Sequence, residues 1–119
     1  MAFYDLSKTD RVKLVAKITN EIQEDLTNAT HGNIIHYFSD EDTYIRKSGY
    51  LAVGKIYKCT KNLQDTIVET LRKLLDSANE KVRQTTINAA GEIGMVDFER
   101  VQWFFDSGLF DAHHSVRNA

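Results

Sequence analysis

Two stretches decide the fold: residues 44–57, which read YIRKSGYLAVGKIY, and residues 81–94, which read KVRQTTINAAGEIG. Each has an aliphatic residue before an arginine, then alanine, glycine and isoleucine six, eight and ten residues after it. The two arginines, Arg46 and Arg83, are 37 residues apart, and a third aliphatic-arginine pair ends in Arg117, another 34 residues on. A period of this length predicts a repeat architecture.

Apolar residues recur at helical spacing along the chain, and no run alternates with a period of two over strand length. The sequence therefore predicts an all-α fold of about seven helices. We expect Ser7 or Thr9 to cap the first helix, Asp42 the third and Asn79 the fifth, which should end with Gly94 just beyond its last turn. The first helix has a single apolar stripe formed by Val12, Val15, Ile18, Ile22 and Leu26. Its last turn carries acids, Glu21, Glu24 and Asp25, which have the wrong sign for a helix C-terminus.

These helices divide a single domain into units. We expect residues 1–33 to form an N-terminal capping helix or half repeat, residues 34–58 and 62–94 to form one repeat each, and residues 97–119 to form a truncated repeat. The third unit ends two residues after Arg117, whereas the equivalent helices continue for ten or more. We therefore expect the chain to be the N-terminal piece of a longer protein, with its own following repeats as one partner.

This pattern resembles the HEAT repeat family, in which each repeat is a pair of helices. The second helix of each pair carries Val-Arg followed by Ala, Leu-Gly and Ile. The resemblance implies a right-handed α-solenoid of antiparallel helix pairs. It also implies that Arg46, Arg83 and Arg117 bond to acids in the turns, here Asp40 and Asp111, although an anion site is the alternative. Tetratricopeptide repeats share the period but carry their glycine and aromatic signature on the first helix, and armadillo repeats need a third helix per unit.

In HEAT proteins the side of each second helix that faces away from the core lines a concave surface. Four lysines and one acid lie on this stripe, a charge of +3 in a chain of net charge −2. Such segregation favours an acidic peptide or a phosphate backbone as partner, whereas an ordinary solvated face is the alternative. The stripe comprises Tyr44, Lys47, Ser48, Leu51, Lys55 and Lys58 on the third helix, and Lys81, Gln84, Thr85, Asn88, Glu92 and Met95 on the fifth. All of these except Ser48, Thr85, Glu92 and Met95 are candidate binding residues.

The remaining residues indicate no catalytic, metal or cofactor site. The single cysteine, Cys59, excludes a disulfide framework and favours a reducing cytoplasmic setting, and we expect it to be half-buried. The adjacent His113 and His114 should point apart, which disfavours a metal pair. No apolar run is long enough to cross a membrane. Trp103 should point away from the core, either as an interface anchor or packed on a loop.

Three functions are compatible with this pattern. The leading one is a non-enzymatic module for protein-protein interaction or scaffolding. The alternative is a DNA-binding protein related to the alkylpurine DNA glycosylases, which are built of HEAT-like repeats. Those enzymes use acidic and aromatic groove residues that this chain does not offer together, because Trp103 belongs to a first helix. The third is an assembly subunit with a lyase-like or phycobilin-associated role.

Overall fold

A computed structural model describes residues 2–119 of the chain. Helix accounts for 81% of it, and no strand occurs in this range, so the all-α expectation is confirmed. The α-helices are α1 (Lys8–Asn28), α2 (Gly32–Phe38), α3 (Thr43–Cys59), α4 (Gln64–Leu74), α5 (Glu80–Leu109) and α6 (His114–Arg117). Short 3-10 helices cover Phe3–Asp5 and Lys61–Leu63.

Three helices begin at caps that the sequence predicts. The side chains of Ser7, Asp42 and Asn79 each accept a hydrogen bond from a backbone N–H in the first turn of α1, α3 and α5. Because the first N–H groups of a helix have no partner within it, such caps fix where the helix begins. Thr9 lies inside α1 instead.

The expected end of the fifth helix at Gly94 is wrong. The helix continues past Gly94, and the predicted fifth and sixth helices lie on the two sides of a kink within α5. The bend lies at Asp97, whose φ of −152° and ψ of 64° are not helical. Gly94 does not have the left-handed backbone that would end the helix there. It faces Val101 and Phe105 beyond the bend, where a Cβ atom would make ordinary van der Waals contacts at 3.5 and 3.7 Å.

A buried tyrosine holds the bend in α5. The Tyr57 hydroxyl on α3 donates a hydrogen bond to Oδ2 of Asp97 over 2.6 Å. Burial and this contact with the carboxylate raise the pKa of Tyr57 to about 12. This hydrogen bond thus holds the bend in α5 against α3.

The core lies around α3, which packs against α1 on one side and α5 on the other. Its largest fully buried side chains are Tyr57, Phe38, Phe104, Ile18, Ile22, Ile34, Ile67, Leu71, Ile93, Val53, Val82 and Val101. The radius of gyration is 13.6 Å, close to the value of about 13.5 Å that a compact domain of this length has. The structure is therefore a compact all-α globule.

The C-terminal half of α1 supplies its buried core residues, and Leu14 of the N-terminal half is partly buried against the same core. Ile18, Ile22 and Leu26 are buried as the stripe predicts, but Val12 is 65% exposed and Val15 is 38% exposed. The part of the stripe formed by Val12 and Val15 therefore faces solvent.

The acids at the end of α1 join it to α2. Oδ2 of Asp25 accepts a hydrogen bond from the Ile34 N–H over 3.0 Å, and Oδ1 accepts one from the Thr30 hydroxyl over 2.6 Å. Glu21 accepts a hydrogen bond from the Tyr37 hydroxyl. These specific bonds offset the unfavourable interaction with the helix dipole, which is typically below about 1 kcal/mol per charge.

Candidate functional site

Three turns of the chain share one hydrogen-bond arrangement around the repeated arginines. In each, Nη1 of the arginine donates to the backbone carbonyl six residues earlier: Arg46 to Asp40, Arg83 to Ser77 and Arg117 to Asp111. The contact therefore recurs at the spacings at which the sequence repeats.

The same turns share two further contacts. The side chain at the start of the turn accepts from the backbone N–H two residues on, over 2.8, 3.2 and 2.9 Å in the three copies. The residue that donated this N–H caps the next helix. Its own side chain accepts a hydrogen bond from the backbone N–H two residues further along, over 2.8, 2.8 and 3.2 Å. The residue pairs are Asp40 and Asp42, Ser77 and Asn79, and Asp111 and His113. Sequence repetition is thus matched by repeated local structure.

One arginine also connects successive turns. Nε and Nη2 of Arg83 donate to the two carboxylate oxygens of Asp111 over 2.8 and 3.1 Å. The arginine side chain is 17% exposed and that of the acid 13%. The guanidinium hydrogen bonds hold the pKa of Asp111 below its ordinary value, with burial acting in the opposite direction.

The other two arginines do not reach an acid. Arg46 donates its second bond to Oγ1 of Thr43, because the position equivalent to Asp111 in the following turn is Ser77. Arg117 is exposed and donates to the carbonyls of Asp111 and Ala112. Of the expected bonds between arginines and turn acids, one ion pair forms, between Arg83 and Asp111, and all three arginines bond to backbone carbonyls of the turns.

The exposed side of α3 carries most of the expected stripe. Leu51 and Tyr44 are 41% and 47% exposed. Lys47, Lys55 and Lys58 are also exposed, and within residues 2–119 no acidic oxygen lies within 4.0 Å of their ammonium groups. The residues are spaced by three or four, so they form one continuous row. We call this row the α3 stripe.

The corresponding residues of α5 are less accessible. Lys81, Gln84 and Asn88 are half-buried, and Lys81 pairs with Glu41 over 3.7 Å and Glu80 over 3.8 Å. The accessible charge therefore lies mainly on α3.

Two residues placed on the stripe by the sequence are buried. Ser48 donates its hydroxyl to the carbonyl of Tyr44, and Thr85 donates to the carbonyl of Lys81 over 2.7 Å, with the carbonyl of Phe38 3.2 Å away. Periodicity alone places Ser48 and Thr85 on the outer side of their helices, but neighbouring helices pack over both, and Thr85 lies beside Phe38 of α2. A Cβ atom at Gly54 would lie only 2.6 Å from Cβ of Glu92, which shows how closely α3 and α5 approach.

The N-terminal segment adds aromatic residues to one end of the α3 stripe. The rings of Tyr4 and Tyr44 meet edge to face with centroids 4.5 Å apart. The Phe3 N–H donates to Oδ2 of Asp42 over 2.6 Å, and this bond is the main reason that the pKa of Asp42 is lowered. A cleft of about 630 Å³ lies beside these residues. The sequence reasoning missed Phe3 and Tyr4 because they precede the periodic pattern.

Other candidates differ from their expectations. Cys59 is exposed rather than half-buried, because it is the last residue of α3. The rings of His113 and His114 stack with centroids 4.8 Å apart instead of pointing apart. Trp103 is half-buried, with the guanidinium of Arg72 4.6 Å above its ring, which agrees with packing rather than with an exposed anchor.

Residues 2–119 contain neither a cluster of metal-ligating side chains nor a helix suited to a membrane. Across residues 2–119, His, Cys, Asp and Glu side chains do not gather in threes as a metal site would need. No helix in that range combines the length and apolar character needed to span a bilayer. No family model, curated protein or solved structure matches the chain.

Proposed function

We propose that this chain is a non-enzymatic HEAT-like repeat module that binds a segment of a partner protein along the α3 stripe. The proposal includes a right-handed solenoid arrangement of the helix pairs. It is supported by the turn arrangement that recurs around Arg46, Arg83 and Arg117 at the repeat spacing. A cytoplasmic setting is part of the proposal because one cysteine supports no disulfide framework.

The observation that carries the binding proposal is the composition of the α3 stripe. Three lysines that have no acidic partner within 4.0 Å among residues 2–119 alternate with exposed Tyr44 and Leu51. Lysines attract an acidic partner over a distance, whereas apolar and aromatic side chains gain free energy only when a partner covers them. A mixed row of this kind fits an acidic peptide that also carries apolar side chains.

A peptide-display selection against the folded chain tests the binding face. We expect the enriched peptides to combine acids with apolar residues, and to lose binding to Lys47→Glu/Lys55→Glu and to Leu51→Ser. The matched control is Lys61→Glu/Lys73→Glu, which makes the same charge change at exposed lysines outside the stripe. Equal binding to all of these variants would contradict the proposed face.

The DNA-binding alternative predicts a different salt dependence. Lysines without acidic partners could contact phosphates, in which case affinity for duplex DNA would fall by about 0.9 log units per log unit of salt for each phosphate neutralised. We expect no binding tighter than the non-specific range of about 10⁻⁴ to 10⁻⁶ M at physiological salt. A tighter complex that is lost in Lys47→Glu/Lys55→Glu would favour the alternative, and release of a damaged base would make the protein an enzyme.

A further inference from the structure

Two apolar faces lie on α1 and α5, the helices that pack against α3, and the first of them reaches one end of the α3 stripe where Tyr4 contacts Tyr44. The first, the N-terminal face, consists of Tyr4, Val12 and Val15. These residues line a cleft of about 400 Å³ together with Phe3, Lys8 and Arg11. It is the exposed continuation of the stripe whose remainder, from Ile18 onward, is buried in the core.

The second, the C-terminal face, lies on α5. It consists of Gly91, Met95, Phe98, Phe105 and Leu109. Met95 is 70% exposed and Leu109 is 61% exposed, and the rings of Phe98 and Phe105 are stacked with centroids 6.0 Å apart. A small cleft of about 130 Å³ joins Phe105 and Leu109 to Ile87, which lies one helical turn before Gly91. Exposed apolar patches of this kind mark interaction surfaces.

The position of Gly91 shows that another helix can approach the C-terminal face closely. Gly54, its equivalent in the preceding unit, is covered by Glu92 of α5. Nothing lies within 4 Å of where a Cβ atom at Gly91 would be. The surface that α3 presents to α5 is therefore repeated on α5 without a cover.

Opposite charges accompany the two faces. The N-terminal half of α1, residues 8–17, has four basic residues and one acid, a charge of +3. Residues 92–111 of α5 and the following turn have five acids and one arginine, a charge of −4, which becomes −2 when Arg83, the partner of Asp111, and Arg117, which lines the small cleft, are counted with them. Asp97 and Asp111 are bonded within the protein, but Glu99 and Asp106 are exposed and have no cationic group within 4.0 Å among residues 2–119.

From these faces and charges we infer that the N-terminal face of one copy of this chain docks on the C-terminal face of a second copy. Complementary charge brings unlike faces together, because like faces carry charge of the same sign and repel. Such a contact joins two different surfaces, so each added copy leaves one face of each kind open. The product is an end-to-end stack, not a closed dimer. This inference does not depend on the proposed binding at the α3 stripe.

Sedimentation velocity of the full chain from micromolar to millimolar concentration tests the inference. We expect the average mass to rise with concentration without stopping at a dimer, and to fall when salt is added. Val12→Glu removes the N-terminal face and Met95→Glu removes the C-terminal face. Both residues are well exposed, so both variants should keep the helix content of the wild type by circular dichroism.

A mixing experiment gives the sharpest result. Each variant alone should stay monomeric, because every contact needs one face of each kind. An equimolar mixture of Val12→Glu and Met95→Glu should form a one-to-one pair that grows no further, through the one native contact left. Ile35→Glu, at an exposed apolar residue of α2 that belongs to neither face, should associate as the wild type does.

Three results would overturn the inference. The first is a wild type that stays monomeric at every concentration, as expected if the faces serve another protein or a further part of a longer chain. The second is a wild-type association that saturates at the dimer. The third is a mixture of the two variants that forms no pair.

Discussion

Gly54 and Gly91 hold equivalent positions in successive units, 37 residues apart, yet only Gly54 is covered by another helix. A Cβ atom at Gly54 would lie 2.6 Å from Cβ of Glu92, an atom close to the backbone that cannot move without its helix. At Gly91 the same atom would meet open space. One sequence feature therefore has two structural consequences.

Alanine substitution at these two glycines should change stability in opposite directions. Gly54→Ala forces α3 and α5 apart and should lower the free energy of unfolding by about 1 to 3 kcal/mol. Gly91→Ala adds a good helix former in open space and should raise it by about 0.5 to 1 kcal/mol. Urea denaturation of dilute protein measures both, and changes of the same sign would contradict the packing of α3 on α5 described above.

The residue that directly follows α1, Ala29, offers a second prediction. Ala29 has a left-handed backbone, with φ of 56° and ψ of 38°, which is strained for a residue with a Cβ atom. Ala29→Gly should therefore stabilise the protein by about 0.5 to 1 kcal/mol. The matched control is Ala16→Gly, in the exposed middle of α1, which should destabilise by about 1 kcal/mol. Thermal denaturation of the two variants should show melting temperatures on either side of that of the wild type.

The ion pair between Arg83 and Asp111 should matter more than an exposed one. Arg83→Ala removes three hydrogen bonds from partly buried groups and should cost about 1.5 to 3 kcal/mol. Arg100→Ala breaks a bridge to Asp65, whose side chain is 90% exposed, and should cost less than about 1 kcal/mol. Equal denaturation midpoints for the two variants would mean that the turn contacts of Arg83 contribute nothing specific.

The lowered pKa of Asp111 predicts part of the acid sensitivity of the fold. Because the carboxyl is more acidic in the folded state, its contribution is fully present above the unfolded value of about 3.9. It is lost as the pH falls from there through the lower folded pKa. Asp111→Asn should therefore be less stable than the wild type at neutral pH, and the difference should shrink in acid.

Denaturant midpoints measured at several pH values check this expectation. Glu24→Gln, which changes an exposed acid on α1, serves as the control and should follow the wild-type curve. A stability difference between Asp111→Asn and the wild type that stays constant down to the lowest pH would contradict the assigned role of the carboxylate.

Sequence periodicity predicted most of the helices, because caps and apolar spacing are local properties. Ser7, Asp42 and Asn79 begin their helices as expected, and Ala52, Ile56, Ala89 and Ile93 are buried at the repeated positions. The spacing of the arginines likewise predicted where the three similar turns lie.

The errors arose where a contact between distant residues decides the outcome. Gly94 was expected to end a helix, but the helix continues to the bend at Asp97, which is bonded to Tyr57 of α3. Val12 and Val15 belong to the apolar stripe of α1, yet they are 65% and 38% exposed while the rest of the stripe is buried. Asp25 looked unfavourable at the end of α1 because its partners on α2 could not be seen in a helical pattern.

The candidate site was predictable only in outline. The α3 stripe follows from helical spacing, and its lysines are exposed as that spacing indicates. The half-burial of Gln84 and Asn88, and the contact of Tyr4 with Tyr44, depend on how helices and the N-terminal segment pack. Periodicity carries no information on either.

The three similar turns also bear on how quickly the chain finds its fold. Their hydrogen bonds join residues only two or six positions apart, so each turn closes a short loop and costs little chain entropy. Helical proteins dominated by such local contacts fold in microseconds to milliseconds. Each turn can thus set the direction of its two helices before the distant contacts among α1, α3 and α5 exist, which shortens the time during which apolar surface is open to aggregation.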